Sequence, residues 1–173
     1  MAETLTVATG TKADQYRTLL PQIKSMIDSE PDCIASLANV AAAIFETFHH
    51  LWVGFYLVRP ALRPAVAGAE ELVLGPFQGP VACTRIRKGR GVCGTAWAEA
   101  TTLVVPDVAQ FPGHIACSSR SRSEIVVPIG GAGDRVWGVL DIDSEALGAF
   151  DEVDAHNLET VCALLSARQP AQS

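Results

Sequence analysis

The order of periodicities along the chain predicts an α+β fold, a mainly antiparallel sheet of five or six strands covered by helices. Two helical repeats of apolar residues open the sequence. From Leu51 the pattern changes to short strand-like runs bounded by Gly, Pro or charge, and a helical repeat returns after Asp151.

In the first repeat Tyr16, Leu19, Leu20, Ile23, Met26 and Ile27 share one helix face, with Thr11 as N-cap and Asp14 three residues on as its partner. Pro31 is placed in the first turn of a second helix, whose stripe runs through Ile34, Leu37, Ala41, Ile44, Phe45 and Phe48. The runs LWVGFYLV, EELVLGPF and ACTRI read as strands, the first two joined by the Pro- and Ala-rich hairpin loop between Arg59 and Glu70. A short helix, GTAWAEA, follows Cys93. Strands are then expected at Thr102 to Val105, Glu124 to Ile129 and Val136 to Ile142. A capped final helix starts at Asp151, with Asp154 three residues on, and carries Val153, Leu158, Val161 and Leu165. The 173 residues suit a single domain, 1–173, with a core of about 12–168 and frayed ends.

Composition excludes several function classes. A formal charge of −6 and the lack of a basic stripe argue against a nucleic-acid partner. No run approaches the roughly 20 apolar residues of a membrane span, and the N-terminus lacks a secretory pattern. The expected location is cytoplasmic. Five cysteines, an odd number, argue there against a structural disulfide framework and leave redox-active thiols as the alternative to simple packing.

Cys83, Cys93 and Cys117 each lie beside Gly- or Pro-containing loops, where reactive groups collect on rigid frames. Cys33 and Cys162 fall within helical stripes and read as packing residues. Arg85, Arg87, Lys88 and Arg90 flank Cys93, while Arg120 and Arg122 follow Cys117, so cations are available to favour a thiolate or to lie solvated on loops. His114, three residues before Cys117, reads as a loop residue. In the strand Gly138 to Asp143 the side chains of Asp141 and Asp143 share one face and Leu140 and Ile142 the other. On an open face the pair is merely polar. Lining a pocket, mutual repulsion and desolvation would leave one carboxyl protonated and suit the pair to an ammonium group, with Glu124 as a third carboxylate. The segment Gly89 to Gly94 spells G-x-G-x-x-G, with Asp107 downstream, but the preceding Thr84 to Lys88 is charged and alternating. An apolar parallel strand is missing, so dinucleotide binding is not expected.

The segments WVGFY (52–56), LGPFQG (74–79), GRGVCG (89–94), VPDV (105–108), FPGHIAC (111–117), SEIV (123–126) and GVLDIDS (138–144) together resemble the free methionine-(R)-sulfoxide reductases, single GAF-domain enzymes. The resemblance runs from about Tyr16 to Leu165. It departs from the family pattern in the long Arg59–Glu70 loop, at Leu51, and at Arg87 and Lys88.

The resemblance implies a GAF fold, free L-methionine (R)-sulfoxide as substrate, thioredoxin as external electron donor, and no cofactor or metal. Cys117 would attack the sulfoxide sulfur and become a sulfenic acid, which Cys83 or Cys93 converts to a disulfide. A protonated carboxyl among Glu124, Asp141 and Asp143 would stabilise the departing oxygen while the cluster holds the substrate ammonium. Trp52 and Tyr56 would pack against the substrate methyl group. By analogy a homodimer built on the first helix is an option. Two other functions compete: a ligand-sensing module, which would need an effector domain not expected here, and a thiol peroxidase, in which the Asp141 and Asp143 pair would be idle.

Overall fold

The computed structural model describes residues 4–63, 66–113, 118–130 and 135–168. Helices α1 (Lys12–Ser29) and α2 (Cys33–Phe48) precede strands β1 (Trp52–Pro60), β2 (Glu70–Gln78) and β3 (Arg85–Arg87). Helix α3 (Gly91–Glu99), strand β4 (Leu103–Val105), a 3-10 turn at Val108–Gln110, strands β5 (Ser123–Ile129) and β6 (Gly138–Ser144), and helix α4 (Glu152–Ser166) complete the order. The strands form one six-stranded sheet, β3-β2-β1-β6-β5-β4, and every neighbouring pair is antiparallel.

Alternation along the central strands separates two cores. Val53, Phe55 and Leu57 of β1, Ile125, Val127 and Ile129 of β5, and Leu140 and Ile142 of β6 face α1, α2 and α4, meeting Tyr16, Leu19, Ile23, Leu37, Ile44, Leu158 and Leu165. Trp52, Tyr56, Val126 and Val139 point the other way, to a second core with Val92, Cys93, Ala96 and Trp97 of α3. The sheet is therefore buried on both faces. Its second face carries the expected carboxylates.

The caps follow the sequence. Thr11 and Asp14 form a reciprocal capping box on α1, and Asp151 and Asp154 form one on α4. Lys12 reaches both Asp151 and Asp154, while the buried Tyr16 hydroxyl donates to Asp154 at 2.9 Å, so the starts of the two outer helices are clamped together.

Five expectations are corrected. The short helix placed after Cys93 begins at Gly91, so Cys93 lies within α3. Pro31 lies before α2, whose N-cap is Asp32, accepting from the Ala35 amide at 2.9 Å; Ile34 then turns outward and is 45% exposed. The ACTRI strand shrinks to Arg85–Arg87, and Ala82, Cys83 and Thr84 stay in the preceding loop. The last strand begins at Gly138 rather than Val136. Val153, counted in the α4 stripe, lies in its first turn and is exposed.

Candidate active site

Strand register assembles the carboxylates. On β6, Asp143 stands opposite Trp52 of β1 on one side and Glu124 of β5 on the other. One pleat along, Asp141 stands between Gly54 and Val126. Trp52, Asp143 and Glu124 thus form a row across three strands with Asp141 beside it, on the face that α3 covers. A Cβ on Gly54 would lie 2.4 Å from Cη2 of Trp52 and 2.4 Å from Cβ of Phe77. The absence of a side chain there lets the indole fold along the strand, stacked with Phe77 (centroids 5.4 Å) and Tyr56 (5.9 Å).

Two adjoining recesses open beside this row. One, about 380 Å³ including its mouth, is lined by Arg90, Cys93, Glu124, Asp141 and Asp143, and also by Ser118 and Ser121. The other, about 280 Å³, lies against Trp52, Tyr56, Pro80 and Ala82 and shares Ser118, Asp141 and Asp143 with the first. The two aspartates form the ridge between an aromatic hollow and a carboxylate hollow. A small amphiphile with an apolar end and a cationic end fits that division.

Burial governs the electrostatics. Desolvation, then the charges of Asp141 and Asp143, drives the Glu124 carboxyl well above its ordinary range. Desolvation and Asp143 do the same to Asp141, whose Oδ1 is buried with no hydrogen-bond partner. Asp143 is pushed up to about 6 by desolvation, opposed by the hydroxyl of Ser121, which donates to its Oδ1. The cluster therefore retains protons at neutral pH and can give one up.

The cysteines divide three ways. Cys93 is a buried free thiol with Sγ 3.9 Å from Oε1 of Glu124. Burial, then Asp141 and Glu124, holds its pKa well above the ordinary thiol value. Of the two readings of the cations flanking Cys93, thiolate activation is the one that fails: Arg85 pairs with Glu71, Lys88 lies 4.9 Å over the Trp97 ring, and carboxylates surround the sulfur. Cys33 and Cys162 are packing thiols of the outer core. Burial raises both, Cys33 to about 11. Cys83 is disulfide-bonded, half-buried in the loop before β3, and its carbonyl accepts from the Tyr56 hydroxyl at 2.9 Å. Trp52 Nε1 donates to the Pro80 carbonyl at 3.1 Å, so both site aromatics hold the Cys83 loop. His114 and Cys117 lie outside the described residues, as does the stretch 115–116 between them.

The glycine-rich segment serves packing. Gly91 and Gly94 begin α3, and a Cβ on Gly94 would lie 2.4 Å from the Arg87 carbonyl, so only glycine lets the helix approach the β3 turn. The strand entering it is an antiparallel edge strand, and Asp107 caps the 3-10 turn by accepting from the Ala109 amide. Ser121, which the sequence reading missed, sits in the run Ser118 to Ser123 with nothing local to mark it as the partner of Asp143.

Comparison with known proteins agrees with this geometry. The GAF domain model matches residues 32–168. The chain belongs to the GAF family, in the branch of the free methionine-R-sulfoxide reductases. It is 56% identical over 165 residues to GAF domain-containing protein A of Dictyostelium discoideum, covering 95% of this chain and 99% of that one. It is 41% identical to the free methionine-R-sulfoxide reductase of Escherichia coli, covering 89% and 88%. The X-ray structure of the Neisseria meningitidis free methionine-R-sulfoxide reductase, solved in complex with its substrate, superposes with a TM-score of 0.87 at 52% identity, covering 95% and 94%. The expected GAF fold stands, and with it the α+β class and the antiparallel sheet. No described helix is long and apolar enough to cross a membrane.

Proposed function

We propose that this chain, acting as a single domain of the cytoplasm, reduces free L-methionine (R)-sulfoxide to L-methionine. The observation that carries the reading is the row of Trp52, Asp143 and Glu124 with Asp141 beside it, an aromatic wall next to buried carboxylates. The names of the Escherichia coli and Neisseria meningitidis relatives support it.

In this reading the substrate ammonium lies against Asp143 and Asp141, and its methyl group lies against Trp52 and Tyr56. A carboxylate formed near pH 6 and a still protonated neighbour divide the work: Asp143 binds charge, and Glu124 or Asp141 donates a proton. The Cys117 thiolate attacks the sulfoxide sulfur, and the sulfoxide oxygen is protonated. The hydroxyl so formed passes from the methionine sulfur to the Cys117 sulfur as the transient S–S bond breaks, so methionine departs and Cys117 is left as a sulfenic acid. Cys83 then attacks that sulfur and expels water, forming a disulfide. Cys83 suits this step because its loop is tied to both site aromatics, whereas Cys93 is held as a thiol between carboxylates. Thioredoxin takes the disulfide back to two thiols by exchange. Sulfoxide and dithiol thus become methionine, disulfide and water, with no metal or prosthetic group in the balance.

The deciding assay follows dithiothreitol-dependent turnover of four oxidants: the free (R)-sulfoxide, the free (S)-sulfoxide, a methionine-sulfoxide peptide and hydrogen peroxide. The free (R)-sulfoxide should be consumed far faster than the other three. If hydrogen peroxide is reduced fastest, the carboxylates have no task and the chain is a thiol peroxidase.

A further inference from the structure

Three side chains in the carboxylate recess have the geometry of metal ligands. Cys93 Sγ, a carboxylate oxygen of Glu124 and one of Asp141 all lie within 4.8 Å of one another, and all three residues are buried. Sγ and Oε1 of Glu124 are already 3.9 Å apart. A tetrahedral zinc ion with Zn–S of about 2.3 Å and Zn–O of about 2.1 Å sets sulfur and oxygen roughly 3.6 Å from each other, so small rotamer shifts suffice. A second feature points the same way: Oδ1 of Asp141, a residue only 6% exposed, accepts no hydrogen bond, although the carboxyl lies against Cys93 and Glu124. A buried carboxylate oxygen without a donor is costly, and a cation relieves it.

We propose that a zinc-class divalent cation binds Cys93, Glu124 and Asp141 and inhibits the protein by claiming Asp141, which the proposed reaction gives to the substrate ammonium. The donor set of one thiolate and two carboxylates suits a borderline cation and disfavours magnesium or calcium, which take oxygen alone. Three protein ligands leave a fourth position toward Asp143 and the open mouth of the recess. The balance of charge is explicit. Empty, the three acidic groups are neutralised by protons; on binding, the cation replaces those protons, and the thiol is ionised by coordination. Cys33 and Cys162 pack on the opposite face of the sheet and cannot contribute. The cation site stands apart from the proposed reaction; only the inhibition rests on it.

The Cys83 and Cys117 dithiol is the obvious competing site, so the test uses the Cys83→Ser/Cys117→Ser variant under reducing conditions. Zinc chloride is titrated against a chromogenic chelator. One equivalent should bind, and magnesium chloride at the same concentration should not displace it. Adding Cys93→Ser should weaken zinc at least about 10-fold, the minimum that even an outer partner of a metal ligand costs. The near-isosteric Glu124→Gln should do the same and keeps the test open if Cys93→Ser does not fold. Cys33→Ser and Cys162→Ser should change nothing. Free methionine sulfoxide should weaken zinc in proportion to its concentration. Failure of the double variant to bind zinc, or binding that neither Cys93→Ser nor Glu124→Gln weakens, overturns the proposal. Zinc binding that depends on Cys93 but ignores methionine sulfoxide leaves the cation site standing, and removes both the inhibition and the placement of the substrate ammonium.

Discussion

Asp143→Asn should make the protein more stable and a poorer catalyst. The carboxyl of Asp143 titrates near 6 in the fold and near 4 in an unfolded chain, because burial disfavours its charge. Holding it ionised at neutral pH therefore costs on the order of 3 kcal/mol, at about 1.4 kcal/mol for each tenfold change in proton affinity. Asparagine removes that cost and keeps an oxygen to accept from Ser121. At pH 7 the variant should melt roughly 6 to 12 °C higher, since 1 kcal/mol shifts Tm by about 2 to 4 °C in a chain of this size. The sign of the pH dependence follows from the raised folded value. Below about 4 both states of the wild type are protonated and the advantage of asparagine vanishes; it grows as pH rises from about 4 to 6 and is constant above. Urea denaturation of reduced wild type and variant at pH 4, 5, 6 and 7 measures this window. Binding should move the other way, because a charge-assisted hydrogen bond to the ammonium is worth about 1.5 to 3 kcal/mol, so KM for the free sulfoxide should rise roughly 10- to 150-fold. An N-acylated methionine sulfoxide lacks the ammonium and should be poor for the wild type, yet lose little further on substitution. A variant that is less stable than wild type at pH 7, or equally stabilised at pH 4, refutes the account of the cluster as stored electrostatic strain.

Other expectations follow from single residues. Cys117→Ser should abolish even one turnover, whereas Cys83→Ser should release about one methionine per site in a single-turnover experiment; a burst that survives Cys117→Ser and disappears with Cys93→Ser would transfer the nucleophile to Cys93. Glu124→Gln should lower kcat and flatten its decline toward high pH if Glu124 is the proton donor, which a pH profile against Asp141→Asn resolves. Gly54→Ala should cost about 1 to 3 kcal/mol in urea unfolding and raise KM, since its Cβ would collide with the Trp52 indole. Tyr16→Phe leaves a buried oxygen of Asp154 without its donor and should destabilise by about 1 to 3 kcal/mol without changing KM.

Most of this fold was legible because the strands are strict in their alternation. Leu140 and Ile142 against Asp141 and Asp143 gave the two faces of β6 correctly, and the Asp151 and Asp154 pair gave the start of α4. The errors occur where local signals compete. Pro31 and Asp32 are both acceptable helix openers, and the side-chain cap won because it satisfies the Ala35 amide. The ACTRI run has strand composition, but the Cys83 loop is held instead by Tyr56 and Trp52 from β1, which no pattern within the run can announce.

The site shows the same boundary in sharper form. That Asp141 and Asp143 share a face follows from the two-residue period alone, but whether the face is wet or dry depends on α3, which places Cys93 against Glu124 and walls one side of the recess. The cations near Cys93 in sequence leave its thiol untouched for that reason: residues adjacent along an edge strand and a helix start point outward, while the neighbours that set the state of the thiol come from β5 and β6. Charge near a cysteine in sequence says little about its thiolate unless the element between them is known. The carboxylates confirm the converse. Their positions on paired strands place three acids together whatever the loops do, and in the proposed reading a cation, bound as substrate ammonium or as metal, offsets the cost of that arrangement.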